Sequence, residues 1–148
     1  MGFLGQHEHT LDAKNRLTVP SRFRAPLSDG VILARSIDPC VCVYTPQGWD
    51  RYTAQWVSSR DPMSEEARRI QRYVYAGAFD TQLDAAGRIM LPAPLIQHAG
   101  LAKEVFVMGC GDWIEIWDRE RLNAHEQGPG ESIGETAQRL ASEAPAKR

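Results

Sequence analysis

An internal repeat constrains the fold of this chain more than any other feature of its sequence. A shift of 72 residues aligns residues 11–20 (LDAKNRLTVP) with residues 83–92 (LDAAGRIMLP). Leucine, aspartate, alanine, arginine and proline are identical at the matching positions, and the remaining apolar positions change conservatively. The sequence therefore predicts two similar units. We place the first repeat at residues 1–62, the second at residues 63–126 and a flexible tail at residues 127–148.

Each unit predicts the same succession of elements. Alternating apolar residues before and after the motif indicate two short strands joined by a tight turn. Asp12 and Asp84 open these turns by accepting backbone N–H groups, and Asn15 and Gly87 suit the left-handed position that follows. A proline then begins a short helix, and two more strands complete the unit.

Longer helices are predicted after the last strand of each unit. An aromatic and apolar stripe predicts an amphipathic helix over residues 47–59. Ser64 precedes a second helical stripe, and Asp118 is expected to cap a third helix that ends near His125. The tail has few large apolar side chains, and its Ile133 and Leu140 could form a weak helix on a partner.

The composition is that of a globular domain. Of the 148 residues, 43% are hydrophobic and 24% are charged. The apolar runs are far shorter than the roughly 20 residues of a membrane span, and the N-terminal residues do not form a signal-peptide pattern. Three cysteines without a secretory signal favour a reduced, cytoplasmic setting.

Positive charge is concentrated in the first unit, although the whole chain has a net charge of -2. Between residues 13 and 25 there is no acidic residue, and four cations occur there: Lys14, Arg16, Arg22 and Arg24. Strand alternation points Arg16 outward, because Leu17 points inward. The matching positions of the second unit are Ala86, Arg88, Pro94 and Ile96. We therefore expect the first unit to contact nucleic acid and the second to complete the fold.

Several of these residues, and two other segments, can also be explained by structural roles alone. Asp12 and Asp84 can serve only as turn formers, and Arg88 can be held in a salt bridge with Asp84. The charged segment 65–72 is either a solvated helix face or a contact between subunits. The aromatic stripe of residues 49–56 is expected in the core or at a subunit interface.

Neither an enzyme nor a metal protein is expected. His7 and His9 share a strand face, but no third ligand is close in sequence. Cys40, Cys42 and Cys110 form no C-x-x-C pair and are interpreted as small buried apolar residues. No nucleophile or pair of carboxylates occurs in a recognisable catalytic setting. We expect no catalytic residue, no metal and no cofactor.

The duplicated Leu-Asp-x-x-Asn/Gly-Arg-Leu/Ile-x-Val/Leu-Pro pattern resembles the SpoVT/AbrB-like swapped-hairpin family. Two copies in a chain of this size, the opening Phe3-Leu4-Gly5 and the arginine-rich segment 68–72 resemble its MraZ branch. The resemblance covers residues 3–126. It implies a mostly β fold with accessory helices (α+β), in which two tandem repeats form one pseudo-twofold, double-ψ swapped-hairpin β-barrel.

The resemblance also implies a function. Members of this branch are bacterial repressors of the division and cell-wall gene cluster, and they bind direct repeats in their own promoter as ring homo-oligomers. The family's basic arginine falls on Arg16 and Arg88. Asn15 departs from the usual glycine, and Leu4 from a position that is often basic. We expect a nucleoid-associated protein with neither a membrane nor a small-molecule partner.

The predicted site therefore comprises DNA contacts, turn-shaping residues and one arginine with two alternative roles. The DNA contacts are Lys14, Arg16, Arg22 and Arg24; the turn-shaping residues are Asp12, Asn15, Asp84 and Gly87; Arg88 is either a contact or structural. The alternative is a protein-interaction or antitoxin-like module of the same barrel family. A small hydrolase with an unrecognised site is a more distant alternative.

Overall fold

A computed structural model describes residues 2–128 and 130–143. Within these ranges the strands are β1 (Gln6–Thr10), β2 (Arg16–Thr18), β3 (Val31–Arg35), β4 (Val41–Tyr44), β5 (Ala78–Thr81), β6 (Arg88–Met90), β7 (Glu104–Gly109) and β8 (Ile114–Asp118). The helices are α1 (Ser21–Arg24), α2 (Pro46–Trp56), α3 (Glu65–Ala76), α4 (Ala93–Ala99), α5 (Arg119–Gln127) and α6 (Ile133–Glu143). A 3-10 turn (Ala25–Leu27) extends α1. The fold is α+β.

The two repeats have the same element order. Two strands, a short helix, two strands and two helices run from β1 to α3 and again from β5 to α6. The predicted succession of strand, turn, strand, short helix and two strands is thus confirmed in both units. The same turn motif joins the first two strands of each repeat, β1 to β2 and β5 to β6.

The repeats are interlocked through their strand pairing. Six strands form an antiparallel sheet in the order β1-β7-β8-β4-β3-β5, and β2 pairs with β6 in a separate two-stranded ribbon. The first strand of each repeat therefore pairs with the third strand of the other. Across residues 2–128 and 130–143 the strand ladders form these two sheets and no single closed one. The β-barrel remains a prediction.

The six-stranded sheet is covered on both faces. Strand alternation sends Val41 and Val43 to one face and Cys42 and Tyr44 to the other. The first face packs against the ribbon and the short helices α1 and α4. The second face packs against α2 and α5 and forms a second core with them. Trp49 and Tyr52 of the predicted aromatic stripe contribute to this core, whereas Trp56 is 51% exposed.

Side-chain caps define where the longer helices begin. The hydroxyl of Thr45 accepts from the N–H of Gly48, and that of Ser64 accepts from the N–H of Ala67. Asp118 caps α5, as predicted, by accepting from the N–H of Arg121. Helix α2 ends at Trp56, earlier than the predicted residue 59. The N–H groups of residues 57 and 58 both donate to one carbonyl, that of residue 53, which closes the last turn.

The region expected to be a flexible tail contains the helix α6. Ser132 and Glu135 cap each other reciprocally, because the N–H of each donates to the side chain of the other. This pairing starts a helix over the residues for which only a weak, partner-bound helix was expected. No residue of α6 is buried by the described part of the chain. Residues 144–148 of the predicted tail lie outside the described residues.

Candidate nucleic-acid interface

The ribbon of β2 and β6 has one buried and one exposed face. Leu17 lies opposite Ile89, and both side chains are only 1% exposed. They point into the first core, which lies between the ribbon and the sheet face of Val41 and Val43. The flanking pairs, Arg16 with Met90 and Thr18 with Arg88, therefore point outward. The structure thus places Arg16 outward, as predicted, and places Arg88 on the same face.

Arg16 and Arg88 are diagonal neighbours on this exposed face. Arg16 pairs with Met90, which lies two residues after Arg88 on the antiparallel strand. Diagonal neighbours of this kind are about 7–8 Å apart. Two arginines from different repeats are therefore brought together by the interlocked pairing.

The first turn is organised around the carboxylate of Asp12. Its Oδ1 accepts from the N–H groups of Lys14 and Arg16, both at 2.9 Å. Its Oδ2 accepts from Arg16 Nε at 2.7 Å. Asn15 adopts the predicted left-handed conformation, with a φ of 58°. One oxygen of Asp12 thus shapes the turn, and the other holds the arginine.

The second turn repeats the same hydrogen bonds. Asp84 Oδ1 accepts from the N–H groups of Ala86 and Arg88, and Oδ2 accepts from Arg88 Nε, each at 2.9 Å. Gly87 has a φ of 76°. The expected salt bridge of Arg88 is therefore present, but Arg16 has an equivalent one. A salt bridge does not distinguish a structural arginine from a DNA contact here.

These bonds keep both aspartates ionised. The N–H of Arg16, and secondarily its side chain, lower the pKa of Asp12. The N–H and side chain of Arg88 lower the pKa of Asp84 in the same way. Within the described part of the chain, neither arginine uses its terminal nitrogens, Nη1 and Nη2, in a hydrogen bond. Each guanidinium is thus held by one edge and keeps two nitrogens for another ligand.

Each turn also forms a backbone hydrogen bond with the residue that follows the ribbon strand of the other repeat. The N–H of Val19 donates to the carbonyl of Gly87, and the N–H of Leu91 donates to the carbonyl of Asn15, each at 2.9 Å. The two turns therefore lie at opposite ends of the ribbon. A change in one turn acts directly on the strand of the other repeat.

Arg24 belongs to the first repeat but lies over the second turn. Its Nε donates to the carbonyl of Val19 at 2.8 Å. A Cβ atom added at Gly87 would lie 2.5 Å from the same Nε. Lys14 and Arg16 therefore occupy one end of the ribbon, and Arg24 and Arg88 occupy the other.

Arg22, the remaining predicted DNA contact, lies elsewhere. It is exposed on α1 and lines a cavity of about 490 Å³ together with Arg51 and residues of the N-terminal segment. Its guanidinium is near Gly5, not the ribbon turns. The structure thus places Lys14 and Arg16 at one end of the ribbon and Arg22 on α1 near Gly5, and the assignment of these residues as DNA contacts stays a prediction.

The other candidates from the sequence have packing environments. The ring of His7 packs edge-on against Phe23, with 5.3 Å between ring centroids. Burial, followed by the nearby His7 and Arg24, lowers the pKa of His9. Burial and the adjacent Glu115 raise the pKa of Cys110 to about 12, so this thiol is protonated at neutral pH and is a weak nucleophile.

The sequence predicts the salt bridge of Asp84 with Arg88 but not the equivalent one of Asp12 with Arg16. A signal for both is present in the repeat, because each copy places an arginine four residues after the aspartate. Arg24 adds a cation beside the second turn, and this contact depends on tertiary structure.

Comparison with known proteins identifies the family. A family model described as "MraZ protein, putative antitoxin-like" matches twice, at residues 2–73 and 74–143. The chain belongs to the MraZ family. The boundary between the two matches lies within the last part of α3, and the second match extends to the end of α6.

Curated MraZ proteins resemble the chain over most of its length. The "Transcriptional regulator MraZ" of Lachnoclostridium phytofermentans is 40% identical over 123 residues, covering 83% of this chain and 86% of the relative. The protein of the same name from Heliobacterium modesticaldum is 34% identical over 138 residues, covering 93% and 96%. That of Roseiflexus castenholzii is 41% identical over 119 residues, covering 80% and 82%.

Proposed function

We propose that this protein is a transcriptional regulator that binds double-stranded DNA through the exposed face of the β2–β6 ribbon. The observation that carries the proposal is the placement of Arg16 and Arg88 as diagonal neighbours on that face, each held by an aspartate. The names of the MraZ relatives support the regulatory role.

The site is a two-stranded β-ribbon, an element that the major groove of DNA can hold. That groove is about 12 Å wide and admits a two-stranded β-ribbon. Arginine reads guanine by donating two hydrogen bonds to O6 and N7. Since Asp12 and Asp84 hold Nε, the guanidinium groups are already oriented, and less conformational freedom is lost on binding. Lys14 and Arg24, at the two ends of the ribbon, are placed to contact phosphates.

A single copy has few cations for this task, and the protein has a net charge of -2. Each neutralised phosphate contributes a salt slope of only about 0.9. We therefore propose a ring homo-oligomer that binds direct repeats in its own promoter, where avidity adds roughly 10²- to 10⁴-fold. On this proposal the protein is a cytoplasmic, nucleoid-associated repressor of the division and cell-wall gene cluster.

The DNA proposal is tested by fluorescence anisotropy with the DNA upstream of the protein's own gene, titrated with salt. A shuffled duplex of the same composition serves as the non-specific reference. Wild-type protein is expected to prefer the native duplex, and Arg16→Ala to lose that preference. Equal affinity for both duplexes would contradict sequence-specific binding.

Arg119→Ala provides a matched control. Arg119 is also an arginine paired with carboxylates, those of Glu8 and Glu104. It lies over the ring of Phe106, which belongs to the second core on the opposite face of the sheet. DNA affinity should be unchanged in this variant. Native mass spectrometry of both variants should give the wild-type ring mass, and a monomer in the wild type would contradict the ring.

A protein-interaction or antitoxin-like module is the second candidate. The observation favouring it is helix α6, whose Ile133 is 85% exposed and whose Leu140 is 55% exposed. Leu140→Glu should then abolish capture of a partner protein without changing DNA affinity. Retention of a captured partner by this variant would argue against α6 as the binding element.

A further inference from the structure

Two cysteines and a carboxylate converge at the centre of the six-stranded sheet. Cys42 on β4 lies directly opposite Glu115 on β8, and Cys40 immediately precedes β4. One ligand atom from each of these three residues lies within 4.8 Å of the other two. β4 belongs to the first repeat and β8 to the second, so the cluster spans both repeats.

The cluster is shielded from solvent and held in place. Cys40 is 0% exposed and Cys42 is 5% exposed. The two oxygens of Glu115 accept from the indole nitrogens of Trp117 and Trp113, at 2.8 and 3.0 Å respectively. In the parts of the chain that the structure describes, Glu115 forms no salt bridge. The hydrogen-bond donors to this partly buried carboxylate are therefore two neutral indoles, and the cation Arg35 lines the same cavity without pairing with it.

We propose that Cys40, Cys42 and Glu115 bind one thiophilic divalent cation, for which Zn²⁺ is the reference. Zn–S and Zn–O distances of about 2.3 and 2.1 Å place tetrahedral ligands roughly 3.6–3.8 Å apart. The observed upper spacing of 4.8 Å reaches this range through side-chain movements of about 1 Å. Each oxygen of Glu115 keeps a lone pair after accepting from an indole.

The surroundings also suit a metal site. Hydrogen bonds from outside the ligand set orient a coordinating carboxylate, and the two indoles serve this purpose here. A cavity of about 220 Å³, lined by Cys42, Glu115 and Trp113, reaches the cluster and gives a path for the ion and a place for a water ligand. Thiolate ligands favour Zn²⁺ over Mg²⁺ and Ca²⁺, which prefer oxygen.

Sequence spacing gave no indication of this site, because Glu115 comes from the other repeat. A bound cation would link the central strands of the two repeats on the sheet face opposite the DNA-binding ribbon. Its main expected consequence is therefore stability. Metal affinity and DNA affinity can be tested separately, because no ligand lies on the ribbon.

The test uses the full, untagged chain, reduced and stripped with a chelator. Zn²⁺ affinity is measured by competition with a chromophoric chelator, and Co²⁺ is added separately to detect thiolate-to-metal charge-transfer absorption. We expect one equivalent of Zn²⁺, a loss of at least about 100-fold in affinity for Cys42→Ala and about 10-fold for Glu115→Gln. The charge-transfer band should disappear in Cys42→Ala.

Two controls make the assignment specific. Cys110→Ala removes a thiol near Glu115 whose sulfur is directed at the carbonyl of Met108, at 3.9 Å. His9→Gln removes the pair formed with His7. Both variants should keep wild-type Zn²⁺ affinity, and Mg²⁺ should not compete. An equal loss in His9→Gln would overturn the proposal.

Thermal unfolding separates loss of the site from loss of the fold. Saturating Zn²⁺ should raise the Tm of the wild type and of Cys110→Ala, since a ligand that binds only the folded state stabilises it. It should not raise the Tm of Cys42→Ala, whose metal-free unfolding should remain cooperative. Wild-type protein that neither binds Zn²⁺ nor shifts in Tm would overturn the proposal.

Discussion

The turns at the two ends of the ribbon have the same hydrogen bonds and different charges. In each, one aspartate oxygen accepts two backbone N–H groups and the other holds the arginine. The first turn carries Lys14, and the second carries Ala86 at the matching position. The comparison teaches that the backbone geometry is duplicated and that the charge is redistributed, because Arg24 of the first repeat lies over the second turn.

The position of Arg24 also bears on which residue occupies the left-handed position of each turn, asparagine in the first and glycine in the second. Asparagine tolerates a positive φ, and Asn15 has open surroundings on the exposed first turn. Gly87 is buried beneath Arg24, and a Cβ atom there would lie too close to the guanidinium. The positive φ of Gly87 and its contact with Arg24 together favour glycine in the second turn, whereas the first turn is more tolerant.

The largest expected effect is on DNA affinity, and it tests whether the two turns are equivalent. Arg16→Ala and Arg88→Ala should each weaken binding to the native duplex by about 5- to 150-fold, since a bidentate arginine–guanine contact contributes about 1–3 kcal/mol. Anisotropy at fixed salt measures both. Wild-type affinity in Arg88→Ala would show that the second turn is structural only.

The next effect concerns stability. Gly87→Ala should lower the free energy of unfolding by about 2 kcal/mol, because a left-handed alanine costs about 1–2 kcal/mol and its Cβ meets Arg24. Asn15→Gly should change it by no more than about 0.5 kcal/mol. Urea denaturation measures both variants. Adding Arg24→Ala to Gly87→Ala should recover part of the loss, and full additivity of the two changes would contradict the contact.

Exchanging positive charge between the two turns should have a smaller effect, which is on the salt dependence of DNA affinity. Lys14→Ala should reduce the slope of log affinity against log salt by about 0.9 for each bound copy, and Ala86→Lys should increase it by about the same amount. Salt titrations of the anisotropy signal provide the slopes. An unchanged slope in Lys14→Ala would remove this lysine from the phosphate contacts.

The smallest effect is on acid stability. The folded-state pKa values of Asp12 and Asp84 lie below the ordinary value of 3.8. Their contribution to stability is therefore present above that value and is lost as the pH falls through the lower folded-state values. The double variant Asp12→Asn, Asp84→Asn should show a flatter decline of stability at acid pH. An unchanged decline would assign acid unfolding to other carboxylates.

Local features of the fold were well predicted from the sequence. The repeat, the turns, the left-handed Asn15 and Gly87, and the cap at Asp118 follow from residues close together in the chain, where backbone preferences act directly. Helix α6 was anticipated only as a weak helix formed on a partner, because the capping pair of Ser132 and Glu135 is a short signal within a polar segment.

Contacts between the repeats were beyond sequence reasoning. The pairing that brings Arg88 beside Arg16, the position of Arg24 over Gly87 and the approach of Glu115 to Cys42 all join residues far apart in the chain. Periodicity indicates which side of a strand is buried, but it does not identify the strand on the other side. The family resemblance implied swapped hairpins, and the structure identifies the strands exchanged between repeats.

The exchange of strands between repeats has a consequence during protein synthesis. As the first half leaves the ribosome, β1 and β2 have no partners, since both pair with strands that are not yet made. At about 5–20 residues per second, translation of the rest takes several seconds, during which sheet edges prone to aggregation stay exposed. If the gene were divided between α3 and β5, the two fragments would be expected to assemble only when produced together.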